Sequence, residues 1–128
     1  MSKLERIIYI EDDPDIQDIV RFVLEDLAGF TVHFCSSGDT AVREAAAFGP
    51  DLILLDVMMA GMDGPTTLAA LRTQPSLAKT PAVFMTAKAM PSEVTRLKTL
   101  GVLDVITKPF DAPNLAKRLQ TLWDEREN

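Results

Sequence analysis

Four short apolar runs in this 128-residue chain end in residues that could do chemistry. Ile7 to Ile10 runs into Glu11, Asp12 and Asp13; Leu52 to Leu55 into Asp56; Ala82 to Met85 into Thr86; and Val102 to Ile106 into Thr107 and Lys108. Carboxylates held close together repel one another and raise each other's pKa unless a cation is present. A hard divalent cation answers that need, and magnesium commonly bridges a couple of protein carboxylates to a phosphate. Lys108 would then act as a point charge on a phosphoryl oxygen, and the Thr86 hydroxyl would donate to another. Asp56 is left as the nucleophile, because an aspartate can take a phosphoryl group as an acyl phosphate.

Such residues meet only if their strands are parallel neighbours. The apolar runs lack helical period and match strands buried on both faces. Between them lie helical patterns. Pro14 opens the first, with Ile16, Ile19, Val20, Val23, Leu24 and Leu27 as its core-facing stripe. Phe22 falls off that stripe, as cover for a loop or as an exposed docking contact. Phe30 to Phe34 reads as the second strand, Ser36 to Asp39 as a helix cap before Ala41, Val42, Ala45 and Phe48, and Pro65 to Leu71 as a short helix. Val94, Leu97 and Leu100 follow Pro91 in a more polar helix that Gly101 ends. Asp111 would cap the last helix, with Leu115, Leu119 and Leu122 inward and Trp123 at the border. Five strands alternating with five helices predict a parallel sheet covered on both faces by right-handed crossovers. Its ligands would sit beyond the carboxyl ends of the strands.

Composition narrows the function classes. With 47% hydrophobic and 25% charged residues the chain is globular rather than disordered, and its length suits one domain. A net charge of -6 without a Lys/Arg cluster argues against nucleic-acid binding. Cys35 is alone, which excludes an intrachain disulfide and reads as a small buried side chain. His33, also alone, lacks companion metal ligands in this reading and lies on the outer side of its strand. No apolar run reaches membrane-spanning length and no signal-peptide core develops, so the expectation is a soluble, cytoplasmic protein without membrane insertion.

The segments Ile10-Glu11-Asp12-Asp13-Pro14-Asp15-Ile16, Leu54 to Gly64, Met85-Thr86-Ala87-Lys88 and Thr107-Lys108-Pro109-Phe110 resemble, in order and spacing, the receiver domain of bacterial two-component response regulators. The resemblance covers essentially the whole chain. It implies a flavodoxin-like, doubly wound α/β fold with strand order 2-1-3-4-5, and a single receiver domain over residues 1–128 without an output domain, like a chemotaxis regulator. It implies that Asp56 accepts a phosphoryl group from a sensor histidine kinase or a histidine phosphotransfer protein in a magnesium-dependent reaction. Asp12 and Asp56 would touch Mg2+ directly, Glu11 through water, and the Met58 backbone carbonyl would add a ligand, with Asp13 a neighbour of the site. Thr86 and Lys108 would hold phosphoryl oxygens, and Lys108–Pro109 would be cis. The product is a changed surface for a downstream protein target, so the chain is a switch rather than an enzyme.

Three positions depart from the family pattern. Val105 stands where Tyr or Phe is usual, Ala60 replaces a common proline, and Gly101-Val102-Leu103-Asp104 adds apolar surface near the expected output face. Met58 and Lys88, at positions that set acyl-phosphate lifetime in the family, offer no group suited to orienting water, which predicts slow self-dephosphorylation. Two other readings stay open. A phosphorylation-independent scaffold would leave the acidic residues without a task. An aspartate-nucleophile phosphatase would want a second aspartate where Met58 stands, and no Gly-rich loop follows the first strand to favour a nucleotide or flavin.

Overall fold

The computed structural model describes residues 3–87 and 90–126. Its sheet is built from β1 (Arg6–Ile10), β2 (Thr31–Cys35), β3 (Leu52–Asp56), β4 (Ala82–Thr86) and β5 (Asp104–Thr107), all parallel, in the order β2-β1-β3-β4-β5. The order is the one the resemblance implies. The three inner strands are the continuous apolar runs, and every residue of β3 and β4 is buried, because helices cover both faces. Polar residues such as His33 and Asp104 fall on the two edge strands, where one side is open.

Side chains alternate across the sheet and so build two cores. Ile7, Tyr9, Leu52, Leu54, Val83 and Met85 face one side; there they meet α1 (Pro14–Arg21), its π-helical continuation Phe22–Leu27, and α5 (Ala112–Glu125). Ile8, Ile10, Ile53, Leu55, Ala82 and Phe84 face the other, under α2 (Gly38–Phe48), α3 (Gly64–Arg72) and α4 (Pro91–Lys98). Each large side chain so enclosed contributes about 1.5–3 kcal/mol. Local chemistry starts the helices. Asp13, Ser37 and Asp63 accept backbone N–H groups of Asp15, Thr40 and Thr66, and Gly49 closes α2 at φ +69°.

The structure corrects several details. Val20, Val23 and Leu24 are buried as expected, but Ile19 and Leu27 are exposed. The Ala28 N–H donates to the Val23 carbonyl five residues back, and this wider turn rotates Leu27 out of the stripe. Phe22 is exposed. Trp123 is a core residue, because it continues the i, i+4 line of Leu115 and Leu119 against the sheet, while Leu122 is half-buried beside it. Asp111 sits at the start of α5 but makes no side-chain cap, since its carboxylate accepts from the Asn114 side chain at 2.6 Å. Leu100 lies beyond the end of α4 and is exposed. Val102 and Leu103 add little free apolar surface, for each is half-buried against one of the two cores. His33 faces α2, where Glu44 and Cys35 accompany it.

Candidate functional site

Parallel pairing brings the ends of β1, β3, β4 and β5 to one sheet edge, with Asp56 opposite Met85 and Thr86 opposite Thr107. Glu11, Asp56 and Lys108, which the sequence placed at separate strand ends with Asp12 and Thr86, are in direct contact here, and Asp12 offers an oxygen within 4.8 Å of those of Glu11 and Asp56. Lys108 Nζ lies 2.8 Å from Glu11 Oε1 and 3.1 Å from Asp56 Oδ1, although 97 residues separate Lys108 from Glu11. Thr86 is buried at the end of β4, and its carbonyl accepts the Lys108 N–H at 2.7 Å, which fixes where the lysine leaves the sheet. The Lys108–Pro109 peptide is cis, as expected.

Glu11 is almost wholly enclosed, at 1% exposure. Its carboxylate accepts from the Tyr9 hydroxyl at 3.1 Å, from the Asp13 N–H at 3.2 Å and from Lys108, and its backbone carbonyl accepts from the Gln17 side chain. Tyr9 and Gln17 are supporting residues that the motif reading did not single out. The signal for Tyr9 was present, since it is the one side chain with a polar tip in the run Ile7 to Ile10, and a buried tyrosine hydroxyl needs a partner. Asp13 is occupied as the cap of α1 and is a neighbour of the site rather than a member. Asp12 is exposed, with Oδ2 accepting from the Ala60 N–H at 3.0 Å. A proline at position 60 would lack that donor, so the departure at Ala60 supplies a tie between the two loops that flank the site.

The loop after β3 is held close to its strand. The Gly64 N–H donates to the Val57 carbonyl at 2.8 Å, and a Cβ on Gly64 would fall 2.5 Å from the Asp56 carbonyl oxygen and 2.8 Å from Val57 Cα. Glycine is therefore required at that approach. Met58 is exposed on this loop. Lys88 lies outside the described residues.

Electrostatics follow from enclosure. Burial first, then the charge of Glu11, push the Asp56 carboxyl up to about 6, against the opposing pull of Lys108. Burial alone would lower Lys108, but its hydrogen bond to Glu11 and the charges of Asp56 and Glu11 outweigh that and raise it. Burial and the adjacent Glu11 raise the Tyr9 hydroxyl far above its ordinary range, so it stays a donor. One lysine does not balance three carboxylates. Glu11, Asp12 and Asp56 offer ligand oxygens within 4.8 Å of one another, a hard, all-oxygen donor set with uncompensated negative charge, and that set fits magnesium.

A family model described as "Response regulator receiver domain" matches residues 7–120. The chain is 34% identical over 119 residues to the DNA-binding dual master transcriptional regulator RpaA of Synechocystis, covering 93% of this chain and 49% of RpaA. It is 36% identical over 117 residues to the transcriptional activator protein IrlR of Burkholderia pseudomallei, covering 91% and 49% respectively. The chain thus spans about half the length of these curated relatives. Among solved structures, the chemotaxis response regulator CheY4 of Vibrio cholerae superposes with a TM-score of 0.85 at 28% identity, over 94% of this chain and 99% of that one.

Proposed function

The chain belongs to the receiver-domain family of response regulators, signalling modules rather than classical enzymes, and from that premise we propose that Asp56 is its phospho-acceptor. The donor is a phosphohistidine of a sensor kinase or of a histidine phosphotransfer protein. A carboxylate oxygen of Asp56 attacks the phosphorus of a phosphohistidine protonated at its second ring nitrogen, the bond from phosphorus to the first nitrogen breaks with its electron pair going to that nitrogen, and neutral imidazole leaves as an acyl phosphate forms. The observation that carries this reading is a buried aspartate 3.1 Å from a lysine that also holds a second buried carboxylate. Lys108 neutralises charge on the transferred group and then on the acyl phosphate, and the Thr86 hydroxyl donates to one of its oxygens. Glu11 keeps Lys108 aimed, with Tyr9 and the Asp13 N–H holding Glu11 in turn. Held by Glu11, Asp12, Asp56 and the Met58 carbonyl, magnesium would supply the positive charge that offsets the incoming phosphoryl oxygens.

Residues 1–128 act in this reading as one receiver unit that signals through protein contact. An apolar groove of about 410 Å³ lies beside Lys108, lined by Ile16, Ile19, Pro109, Phe110 and Ala112, with exposed Phe22 on the adjoining surface at the start of the π-helical continuation of α1. In this reading the histidine donor docks along this groove, with exposed Phe22 as one of its contacts. The added charge then favours one of two arrangements of the protein-binding surface for a downstream target. With Val105 buried where an aromatic is usual, loop movement at Thr86 rather than a swinging ring transmits the change. No helix among the described residues is long and apolar enough to cross a membrane.

Intact mass after incubation with magnesium and acetyl phosphate, for the parent and Asp56→Asn, tests the assignment. One phosphoryl group on the parent and none on the variant is the expected result. No addition to the parent overturns it and favours the phosphorylation-independent scaffold; addition to both moves the acceptor elsewhere.

A further inference from the structure

A second group of metal-ligating side chains lies at the β2 edge of the sheet, apart from the acidic residues of the phospho-acceptor site. His33 and Cys35 are two residues apart on β2 and therefore face the same side, toward α2. Glu44, on α2, meets both. His33 Nε2 is 2.7 Å from Glu44 Oε1, and Cys35 Sγ is 4.0 Å from the same oxygen. The three donor atoms all lie within 4.8 Å of one another. The His33 ring is braced by stacking on Phe48, with ring centroids 5.3 Å apart.

From this geometry we infer that His33, Cys35 and Glu44 form a binding site for a divalent ion of the zinc class. An imidazole, a thiolate and a carboxylate are the ligand types such ions select, while magnesium demands oxygen donors. Metal bonds of about 2.0–2.3 Å place donors roughly 3.3–3.8 Å apart around a tetrahedron, so a small rotation that withdraws Glu44 from His33 admits the ion. On binding, the thiol proton leaves to solvent as the metal–sulfur bond forms. The two negative ligands then balance the dipositive ion, which suits a half-enclosed position. Cys35 supplies the buried floor, and the side chains of His33 and Glu44, 36% and 45% exposed, leave an entry path and a fourth position for water. The site differs from the acidic pocket in both its ligands and its preferred metal.

Cobalt(II) titration of the full chain in millimolar magnesium, followed by zinc competition, tests the inference. Magnesium occupies the oxygen-ligand pocket, and cobalt reports a thiolate ligand through a near-ultraviolet charge-transfer band. The expected result is one band-forming site per chain, displaced by one equivalent of zinc, abolished in Cys35→Ser and retained in Asp56→Asn. Zinc affinity, measured against a chromophoric chelator, falls at least tenfold in both His33→Ala and Glu44→Gln. Glu44→Gln alters a partly exposed side chain and keeps its shape, so it reads the site even where a Cys35 variant loses stability. A chain without the band, a band that survives Cys35→Ser, or unchanged zinc affinity in Glu44→Gln would overturn the inference.

Discussion

Asp56→Asn should make the metal-free protein more stable at neutral pH, although it removes one partner of an ion pair. The Asp56 carboxyl is almost fully buried, and burial with the neighbouring charge of Glu11 lifts it from 3.8 to about 6, Lys108 notwithstanding. A rise of that size makes the ionised group unfavourable in the folded state by about 3 kcal/mol. Asparagine keeps the shape and an acceptor oxygen while deleting the charge, and Lys108 remains paired with Glu11 at 2.8 Å. The expected gain is about 1–3 kcal/mol in urea unfolding at pH 7.5 with chelator present. The sign with pH follows from the raised value. The contribution of Asp56 to stability is fully present below its unfolded value near 4 and is lost as pH rises through about 6, so the variant's advantage shrinks on acidification and vanishes below about pH 4. Magnesium should narrow the gap from the other side. At ten times its Kd it adds about 1.4 kcal/mol to the parent and less to the variant, which lacks a ligand oxygen. Equal stability of the two proteins at pH 7.5, or a difference that does not change between pH 7.5 and 4, would refute the argument that enclosure of like charge strains this site.

Lys108→Ala should leave Glu11 and Asp56 buried without their shared cation, costing about 3 kcal/mol in urea unfolding of the metal-free protein, with part of the loss recovered by magnesium; no recovery would count against a cation site at these carboxylates. Gly64→Ala drives a methyl group against the Asp56 carbonyl and Val57, and should lower stability by about 1–3 kcal/mol and slow labelling of Asp56 by acetyl phosphate. Asp104 holds Arg118 of α5 at 2.9 Å and Lys98 of α4 at 3.5 Å on a half-exposed edge, so Asp104→Ala should cost less than about 1 kcal/mol, and the cost should shrink further in 1 M salt. The side chain at Met58 predicts an acyl phosphate that persists well beyond seconds, measured by loss of the added mass after the donor is removed.

The strands and the placement of polar residues at their ends were legible in the sequence because each is a local pattern. Apolar runs such as Leu52 to Leu55 announce strands buried on both faces, and the residue after each run falls at the ligand edge of a parallel sheet whatever the strand order. Helix starts at Asp13, Ser37 and Asp63 are equally local, since a side-chain acceptor and the N–H it satisfies lie two or three residues apart. What one-dimensional pattern could not decide was contact between segments far apart along the chain. The resemblance implied a strand order, but only tertiary structure brings Lys108 to within 2.8 Å of Glu11, aims Tyr9 and Gln17 at the same residue, and ties Asp12 to Ala60. It also decided the exceptions to helical period. The π turn after Arg21 exposes Leu27, and Trp123 enters the core because α5 presents its i+4 line to the sheet. His33 and Cys35 read as isolated residues in sequence because their companion, Glu44, arrives on the next helix, and an ion-binding set assembled across a strand and a helix has no spacing of its own to read.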